Sequence, residues 1–282
     1  MYDTLITSEL LAAHIGEPGW VICDCRFVLS SPDAGRAAYR ESHIPGAMYF
    51  HLDHDLAGPV TPVSGRHPLP DAGQLAAAFG RAGITEDVQV VAYDDVNGAI
   101  AARLWWLARW LGHPHVAVLE GGWQSWVANG HQVTADIAVP VPQNFMARRD
   151  DTMWVSSAEV LETVMGRLPG RVLDARAHDR FQGRNETLDP VAGHVPGAVN
   201  VPFAGNLEPT GRFKRPTELR QRIEQALNGS PPERAICMCG SGVTACHNLL
   251  AMEVAGMRGA RLYPGSWSEW IRDPLRPVAV ED

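Results

Sequence analysis

A cysteine lies where a short apolar run gives way to glycines and then to a helical pattern. Cys239 follows Ala235–Met238, four apolar residues typical of a buried strand, and apolar residues recur at helical spacing over 245–257. At such a strand-to-helix turn, free N–H groups and the positive end of the helix dipole favour an anion such as a thiolate. Gly240 and Gly242 let the backbone fold these amides around one point. The pattern therefore predicts that Cys239 is a reactive nucleophile.

The other four cysteines fit the inert, buried packing that most cysteines show. Five cysteines are an odd number, none has zinc-ligand spacing, and a chain of this length does not need disulfides for stability. Residues 51–55 contain two histidines and two aspartates, but without a further ligand group a polar turn is the better interpretation. We therefore expect reduced thiols, no metal and no organic cofactor. The four cysteines interpreted as structural are Cys23, Cys25, Cys237 and Cys246.

Length and composition indicate a folded protein of two domains. The chain has 282 residues, 45% of them hydrophobic, which is enough for two separate cores. No apolar run approaches the ~20 residues that span a bilayer, and the first residues carry neither the basic nor the apolar part of a secretory signal. The net charge of −8 argues against nucleic acid as a partner. We expect a cytoplasmic enzyme that binds neither membrane nor nucleic acid.

Three short motifs occur twice, once in each half of the chain. The Asp-x-Arg pair and the His-x-Pro-Gly-Ala motif recur at offsets of 150 and 151 residues. Because Asp-x-Arg is present in both halves, including the one without a thiol, we interpret it as an ion pair or backbone contact that holds a loop. The chain is thus an internal duplication. The repeated pairs are Asp24-Cys-Arg26 with Asp174-Ala-Arg176, His43-Ile-Pro-Gly-Ala47 with His194-Val-Pro-Gly-Ala198, and Gly121–Trp126 with Gly265–Trp270.

Strand-like runs alternate with helix-like stretches, an order typical of α/β units on parallel sheets. Connections of this kind are right-handed and place helices on both faces. Residues 134–147 contain two prolines and no helical period, which indicates an extended linker. We predict an α/β protein of two tandem domains, each a mainly parallel sheet with helices on both faces. The expected limits are 1–135, a linker over 136–149, and 150–282. The clearest predicted strands are 21–24, 88–93, 116–119, 235–238 and 260–263, and the clearest helices are 7–14, 100–111 and 244–257.

The loop Cys239-Gly-Ser-Gly-Val-Thr244 resembles the active-site loop of the 3-mercaptopyruvate sulfurtransferase branch of the two-domain rhodanese family. Gly265–Trp270 is similar to that family's closing motif, and the resemblance extends over essentially the whole chain. It implies two rhodanese-like domains, the C-terminal one catalytic and the N-terminal one supporting it. In the first half Asp94 stands where the thiol would be, and a carboxylate cannot carry sulfane sulfur. The loop residues that the resemblance assigns to substrate binding are Gly240, Gly242, Val243 and Thr244.

The resemblance also implies a relay of serine, histidine and aspartate beside the cysteine. By motif these are Ser241 in the loop, His67 in His67-Pro-Leu-Pro70 and Asp53 in Tyr49-Phe-His-Leu-Asp53. In such a relay the aspartate orients the imidazole, and the imidazole lets the serine donate a hydrogen bond or deliver a proton. Taken alone, His67 and Asp53 are an ordinary loop histidine and surface acid, so their assignment depends on the resemblance.

A guanidinium suits a 2-oxo acid, because its planar fork meets a carboxylate with two hydrogen bonds. The family places one arginine in a Gly/Ala-Arg-Phe/Tyr stretch, which Arg180-Phe181 matches, so Arg180 is expected to bind substrate. A second family arginine has no match, since its place falls near Thr187 or Leu188. Arg184, four residues after Arg180, is the remaining candidate for the same carboxylate.

The implied reaction moves sulfur from 3-mercaptopyruvate through a Cys239 persulfide to a thiol such as thioredoxin or glutathione, or to cyanide, and releases pyruvate. A thiosulfate sulfurtransferase on the same fold is the first alternative, although Gly240 and Ser241 stand where that branch tends to carry arginine or lysine. A persulfide carrier without catalysis is the second. A cysteine phosphatase is disfavoured, because it needs arginine six residues after the cysteine, where Ala245 stands.

Overall fold

The computed structural model describes residues 1–280, which form two compact units. Unit 1 contains Met1–Gly58, Leu69–Asp150 and Pro209–Arg212, and unit 2 contains Pro59–Pro68, Asp151–Glu208 and the described residues from Phe213 onward. Each unit therefore includes one short segment from the other half of the sequence. The continuous limits expected at residues 135, 149 and 150 stay a prediction.

Unit 1 contains five strands and five helices that alternate along the chain. The strands are β1 (Leu5–Ile6), β2 (Trp20–Asp24), β3 (Met48–Tyr49), β4 (Gln89–Tyr93) and β5 (Val116–Leu119). The helices are α1 (Ser8–Ala12), α2 (Ala34–Glu41), α3 (Ala72–Arg81), α4 (Ala101–Trp110) and α5 (Gly122–Ala128). The strands pair in parallel in the order β1-β5-β4-β2-β3.

Unit 2 repeats this alternation around a four-stranded parallel sheet. Its helices are α6 (Ser157–Val164), α7 (His178–Phe181), α8 (Pro216–Leu227), α9 (Thr244–Val254) and α10 (Ser266–Trp270). Its strands are β6 (Arg171–Asp174), β7 (Val199–Asn200), β8 (Ala235–Met238) and β9 (Arg261–Leu262), in the order β7-β6-β8-β9. Short 3₁₀ turns lie at Asp151–Met153, Phe203–Asn206 and Pro232–Arg234.

The central strands of both sheets are apolar because both faces of a parallel sheet are covered. Every residue of β4, β5 and β8 is buried, and α4 packs against β4 and β5. The predicted strands at 116–119 and 235–238 are confirmed as β5 and β8. Helix α9 ends at Val254 rather than at 257, because Gly256 adopts a left-handed φ of 69° that a continuing helix does not allow.

The repeated Asp-x-Arg motif forms a buried ion pair in each unit, as predicted. In unit 2, Arg176 Nη2 lies 2.8 Å from Asp174 Oδ2 and donates to the Gly193 carbonyl at 2.9 Å. In unit 1, Arg26 Nη2 makes the same contacts with Asp24 and the Ser42 carbonyl, at 2.6 and 2.7 Å. Each arginine thus fastens a later loop to the carboxyl end of a central strand.

Residues 135–150 form neither helix nor strand and belong to unit 1. The Gln143 amide donates to the Gly80 carbonyl and the Arg148 amide to the Leu111 carbonyl, both at 2.8 Å. Phe145 between them is buried at 6% exposure. The segment is therefore held to unit 1 by backbone hydrogen bonds and by the buried Phe145. Its interpretation as an extended linker stays a prediction. No helix within residues 1–280 has both the length and the apolar composition that crossing a membrane requires.

Candidate active site

Cys239 lies between the end of β8 and the start of α9, as the sequence predicts. Its side chain accepts a hydrogen bond from the Gly242 amide, with 3.2 Å between N and Sγ. Its own amide donates to Ser266 Oγ at 3.0 Å, and the residue is 2% exposed. An amide N–H directed at the sulfur can serve as a hydrogen-bond partner for negative charge that a reaction places there.

The loop that carries Cys239 is fastened to the start of α10. The Trp267 amide donates to the Cys239 carbonyl at 3.0 Å, and the Ser268 amide donates to the Gly240 carbonyl at 2.9 Å. Gly242 has a φ of 77°, and a Cβ at this position would lie 2.3 Å from the Pro264 carbonyl oxygen. Only glycine fits there, which explains the glycine-rich sequence after the cysteine.

The other cysteines are free thiols without a comparable setting. Cys23, Cys25 and Cys237 are fully buried, and burial raises the pKa of each thiol well above its usual value. Cys246 lies in α9 and its thiol donates to the Gly242 carbonyl at 3.3 Å. These contacts support the interpretation of all four as packing residues.

His67 and Ser241 meet within unit 2, because residues 59–68 belong to that unit. His67 Nδ1 lies 2.8 Å from Ser241 Oγ, and the two residues are 4% and 7% exposed. This hydrogen bond joins two of the three residues assigned to the relay. The roles of both stay a prediction.

Asp53, the third residue of the relay, lies in unit 1 after β3 and is half-buried. Its amide donates to His51 Nδ1 at 3.1 Å. The His51 ring stacks on His54, with 4.3 Å between centroids, and the His51 amide donates to Asp55. Within the described residues no group of three or more His, Cys, Asp or Glu side chains is placed to hold a metal ion. A catalytic role for Asp53 stays a prediction.

Arg180 forms ion pairs with two carboxylates that the sequence motifs did not indicate. Its Nη2 lies 2.8 Å from Glu186 Oε1 and 3.2 Å from Asp189 Oδ2. Burial acts to raise the pKa of Glu186, but hydrogen bonds from Arg180 and from the backbone amides of 188 and 189 hold that pKa below its usual value. Arg184, in contrast, is exposed. Substrate binding by Arg180 and Arg184 stays a prediction.

Arg66 is a further candidate site residue, which no sequence motif indicated. A Cβ placed on Gly240 would lie 3.2 Å from Arg66 Nη2 and 3.6 Å from Arg180 Nη2, so both guanidinium groups border the residue after Cys239. Asp189 accepts hydrogen bonds from both arginines. A signal was present in the sequence: the dipeptide Gly65-Arg66 recurs as Gly211-Arg212 at an offset of 146 residues, after a hydroxyl residue in both places.

Known proteins confirm the duplicated fold. The family model described as "Rhodanese-like domain" matches the chain twice, over residues 7–129 and 157–273. The chain belongs to the rhodanese-like family. A probable 3-mercaptopyruvate sulfurtransferase of Pseudomonas aeruginosa is 47% identical to this rhodanese-like chain over 280 residues, which cover 99% of the chain and 98% of the relative. A putative thiosulfate sulfurtransferase of Mycobacterium tuberculosis is 38% identical over 285 residues, with coverages of 98% and 96%.

A solved structure gives the same result for the fold. The 3-mercaptopyruvate sulfurtransferase from Leishmania major matches with a TM-score of 0.85 at 28% identity, and the match covers 98% of this chain and 75% of the other. The predicted fold of two rhodanese-like domains with parallel sheets is therefore confirmed.

In the first rhodanese-like domain Asp94 follows β4, as Cys239 follows β8 in the second. Asp94 is fully buried, and burial raises its pKa, whereas four amide N–H groups favour its ionised form. The loop after β4 therefore surrounds the carboxylate of its own residue Asp94 with amide N–H groups. Oδ1 accepts from Val96 and Gly98 at 2.9 and 2.8 Å, and Oδ2 accepts from Ile100 and Ala101 at 2.7 and 2.8 Å.

Proposed function

We propose that the protein is a 3-mercaptopyruvate sulfurtransferase that carries sulfur as a persulfide on Cys239. The observation that carries the proposal is the hydrogen bond from the Gly242 amide to Cys239 Sγ at the start of α9, with the His67 and Ser241 pair in the same unit. The 47% identity to a probable enzyme of that name, over nearly the full length of both chains, supports it.

In the first half-reaction the Cys239 thiolate attacks the sulfur of 3-mercaptopyruvate and forms an S–S bond. The C–S bond of the donor breaks, and its electron pair moves onto the 2-oxo group to give the enolate of pyruvate. The proton of the donor thiol is transferred to the methylene carbon, so pyruvate leaves and Cys239 remains as the persulfide anion. Ser241, hydrogen-bonded to His67, donates to the developing enolate oxygen or relays this proton.

The persulfide anion is stabilised by the amides at the start of α9. Asp94 supports this assignment, because four amides of the equivalent loop in the first domain surround its two carboxylate oxygens. In the catalytic loop the corresponding stretch begins at Gly242, and we assign the amides of Val243 and Thr244 to the outer sulfur. The loop is thus an anion site in both domains, filled by a carboxylate in one and by sulfur in the other.

In the second half-reaction an acceptor thiolate attacks the outer sulfur and regenerates the Cys239 thiolate. Thioredoxin or glutathione would supply that thiol in the cytoplasm, where we place the protein, and cyanide replaces it in an assay. Two half-reactions joined by a covalent intermediate give double-displacement kinetics.

Thiosulfate is the second candidate donor. A relative that is 38% identical carries the name of a putative thiosulfate sulfurtransferase. Arg66 and Arg180 contact Asp189, and Arg180 also contacts Glu186. The three oxygens of thiosulfate can accept N–H groups from these arginines as a carboxylate does.

The test is thiocyanate formation from cyanide with each donor in turn. We expect faster turnover with 3-mercaptopyruvate, its loss in Cys239→Ser, and its retention in Cys237→Ala, which alters a buried cysteine on β8. A preference for thiosulfate would assign the protein to that second activity. If neither donor turns over while Cys239 still accepts sulfur from another protein, the chain is a carrier and the proposed catalysis is wrong.

A further inference from the structure

We propose that Arg66 is the second guanidinium of the donor site and that Arg66 and Arg180 together bind the carboxylate of the sulfur donor beside Cys239. The inference rests on the proposed function, which it deepens by assigning a residue that sets donor binding. Both arginines belong to unit 2, because that unit includes residues 59–68.

The two guanidinium groups lie beside Gly240, the residue that follows Cys239 in the loop. A Cβ on Gly240 would meet Arg66 Nη2 at 3.2 Å, and Arg180 Nη2 and Nη1 at 3.6 and 3.7 Å. A side chain at 240 would therefore crowd Arg66 and contact Arg180, so glycine leaves the most room beside both guanidinium groups. Two guanidinium forks that lie beside the same residue can each direct N–H groups to a single carboxylate.

Asp189 sets the spacing of the two arginines and lies behind them. It accepts from Arg66 Nη1 and from Arg180 Nη2, the latter at 3.2 Å. The Asp189 and Glu186 side chains are 2% exposed, whereas those of Arg66 and Arg180 are 27% and 17% exposed. An anion that approaches from solvent thus meets cationic groups first, and the buried acids balance their charge.

Arg66 also has hydrogen-bonding capacity that the protein leaves unused. Its Nε is buried and meets no hydrogen-bond acceptor among the described residues. A buried donor without an acceptor is costly, and the cost is removed when a ligand supplies one. The carboxylate of the sulfur donor, bound between Arg66 and Arg180, would supply the missing acceptor.

Contacts with the start of α10 fix the position of the backbone at Arg66. The Arg66 amide donates to Ser268 Oγ at 3.0 Å, and a Cβ on Gly65 would lie 2.4 Å from the Gly265 carbonyl oxygen. Gly65 therefore allows a close approach to α10, and His67, the next residue, reaches Ser241. One short segment supplies both the histidine of the relay and the second arginine.

The repeated Gly-Arg dipeptide provides a matched control. Gly211-Arg212 belongs to unit 1, where a Cβ on Gly211 would lie 2.4 Å from Asn97 Oδ1, in the loop after Asp94. Arg212 is exposed. It follows the same glycine in the repeated dipeptide and belongs to the unit without a thiol, so its replacement removes the same charge from the chain outside the donor site.

The first experiment measures steady-state kinetics with 3-mercaptopyruvate for Arg66→Met, Arg66→Lys and Arg212→Met. Because a charge-assisted hydrogen bond to the donor is lost, we expect Arg66→Met to raise KM about 10- to 100-fold with a smaller effect on kcat. Arg66→Lys should recover part of the affinity, since it restores charge without the fork. Arg212→Met should match the parent. An unchanged KM in Arg66→Met would overturn the proposal.

The second experiment does not depend on sulfur transfer, so it separates failure of this inference from failure of the proposed function. Cys239 thiolate displaces iodide from iodoacetate, which carries a carboxylate, or from neutral iodoacetamide, and mass spectrometry gives both rates. We expect Arg66→Met to lower the iodoacetate rate about tenfold and to leave the iodoacetamide rate unchanged. If both alkylation rates fell equally, Arg66 would only position the loop. Selective loss in Arg184→Met but not in Arg66→Met would assign the second guanidinium to Arg184. Either result would overturn the proposal.

Discussion

His67 Nδ1 lies 2.8 Å from Ser241 Oγ, although 174 residues separate the two in the sequence. Both side chains are buried, so the hydrogen bond is shielded from competing water. Imidazole can accept the serine proton or donate its own, which makes the hydroxyl either a donor or a proton relay. In the proposed reaction this pair contacts the 2-oxo group of the sulfur donor.

Replacing Ser241 should affect the two sulfur donors differently. Ser241→Ala removes the hydroxyl that we propose stabilises the enolate oxygen of the pyruvate leaving group, and we expect kcat/KM for 3-mercaptopyruvate to fall about 100-fold. Thiosulfate has no 2-oxo group, so its rate should change much less. Thiocyanate assays with both donors measure this, and Ser30→Ala, at an exposed position in unit 1, is the control. Equal losses for both donors would show that Ser241 only supports the loop.

The hydrogen bond between His67 and Ser241 predicts non-additive effects. In the proposed relay each side chain acts through the other, so the double variant with alanine at both positions should be little worse than the poorer single variant. We expect a coupling free energy of about 1–3 kcal/mol in kcat/KM for 3-mercaptopyruvate. A double-mutant cycle measures it. Additive losses would mean that the two residues act independently.

The strands and the catalytic loop could be predicted because their signals are local. Four apolar residues before Cys239, two glycines after it and a helical pattern from Thr244 are all present within one short stretch. Strand β8, the loop and α9 follow that order. The Asp-x-Arg ion pairs were also predictable, because partners two residues apart can meet without help from the fold.

The surroundings of the cysteine could not be predicted in full, because they depend on contacts between distant segments. Arg66 was missed since nothing local shows that residues 59–68 belong to unit 2. Arg180 was identified by motif, but its pairing with Glu186 and Asp189 depends on how the intervening loop folds back. The repeated Gly-Arg dipeptide at 65–66 and 211–212 is the sequence signal that could have drawn attention to Arg66.

Thiol labelling should distinguish Cys239 from the other cysteines. Burial raises the pKa of Cys23, Cys25 and Cys237, so these thiols stay protonated at pH 8 and cannot act as nucleophiles there. A short exposure of the folded protein to iodoacetamide at pH 8 should therefore label Cys239 alone, and Cys239→Ser should take up almost none. Peptide mass spectrometry identifies the site. Comparable labelling of Cys237 would contradict the contrast between the two positions.

Asp94 should stabilise the first domain through the four amides that surround it. Asp94→Asn keeps the shape but turns one acceptor into an NH₂ donor, which leaves two amide N–H groups without an acceptor. We expect the free energy of unfolding to fall by about 2–4 kcal/mol and Tm to fall by roughly 5–10 °C. Calorimetry measures both, with exposed Asp87→Asn as the control that should change stability by less than about 0.5 kcal/mol. If Asp94→Asn matched that control, the loop would not require an anion, and the analogy that places the Cys239 persulfide among equivalent amides would lose its support.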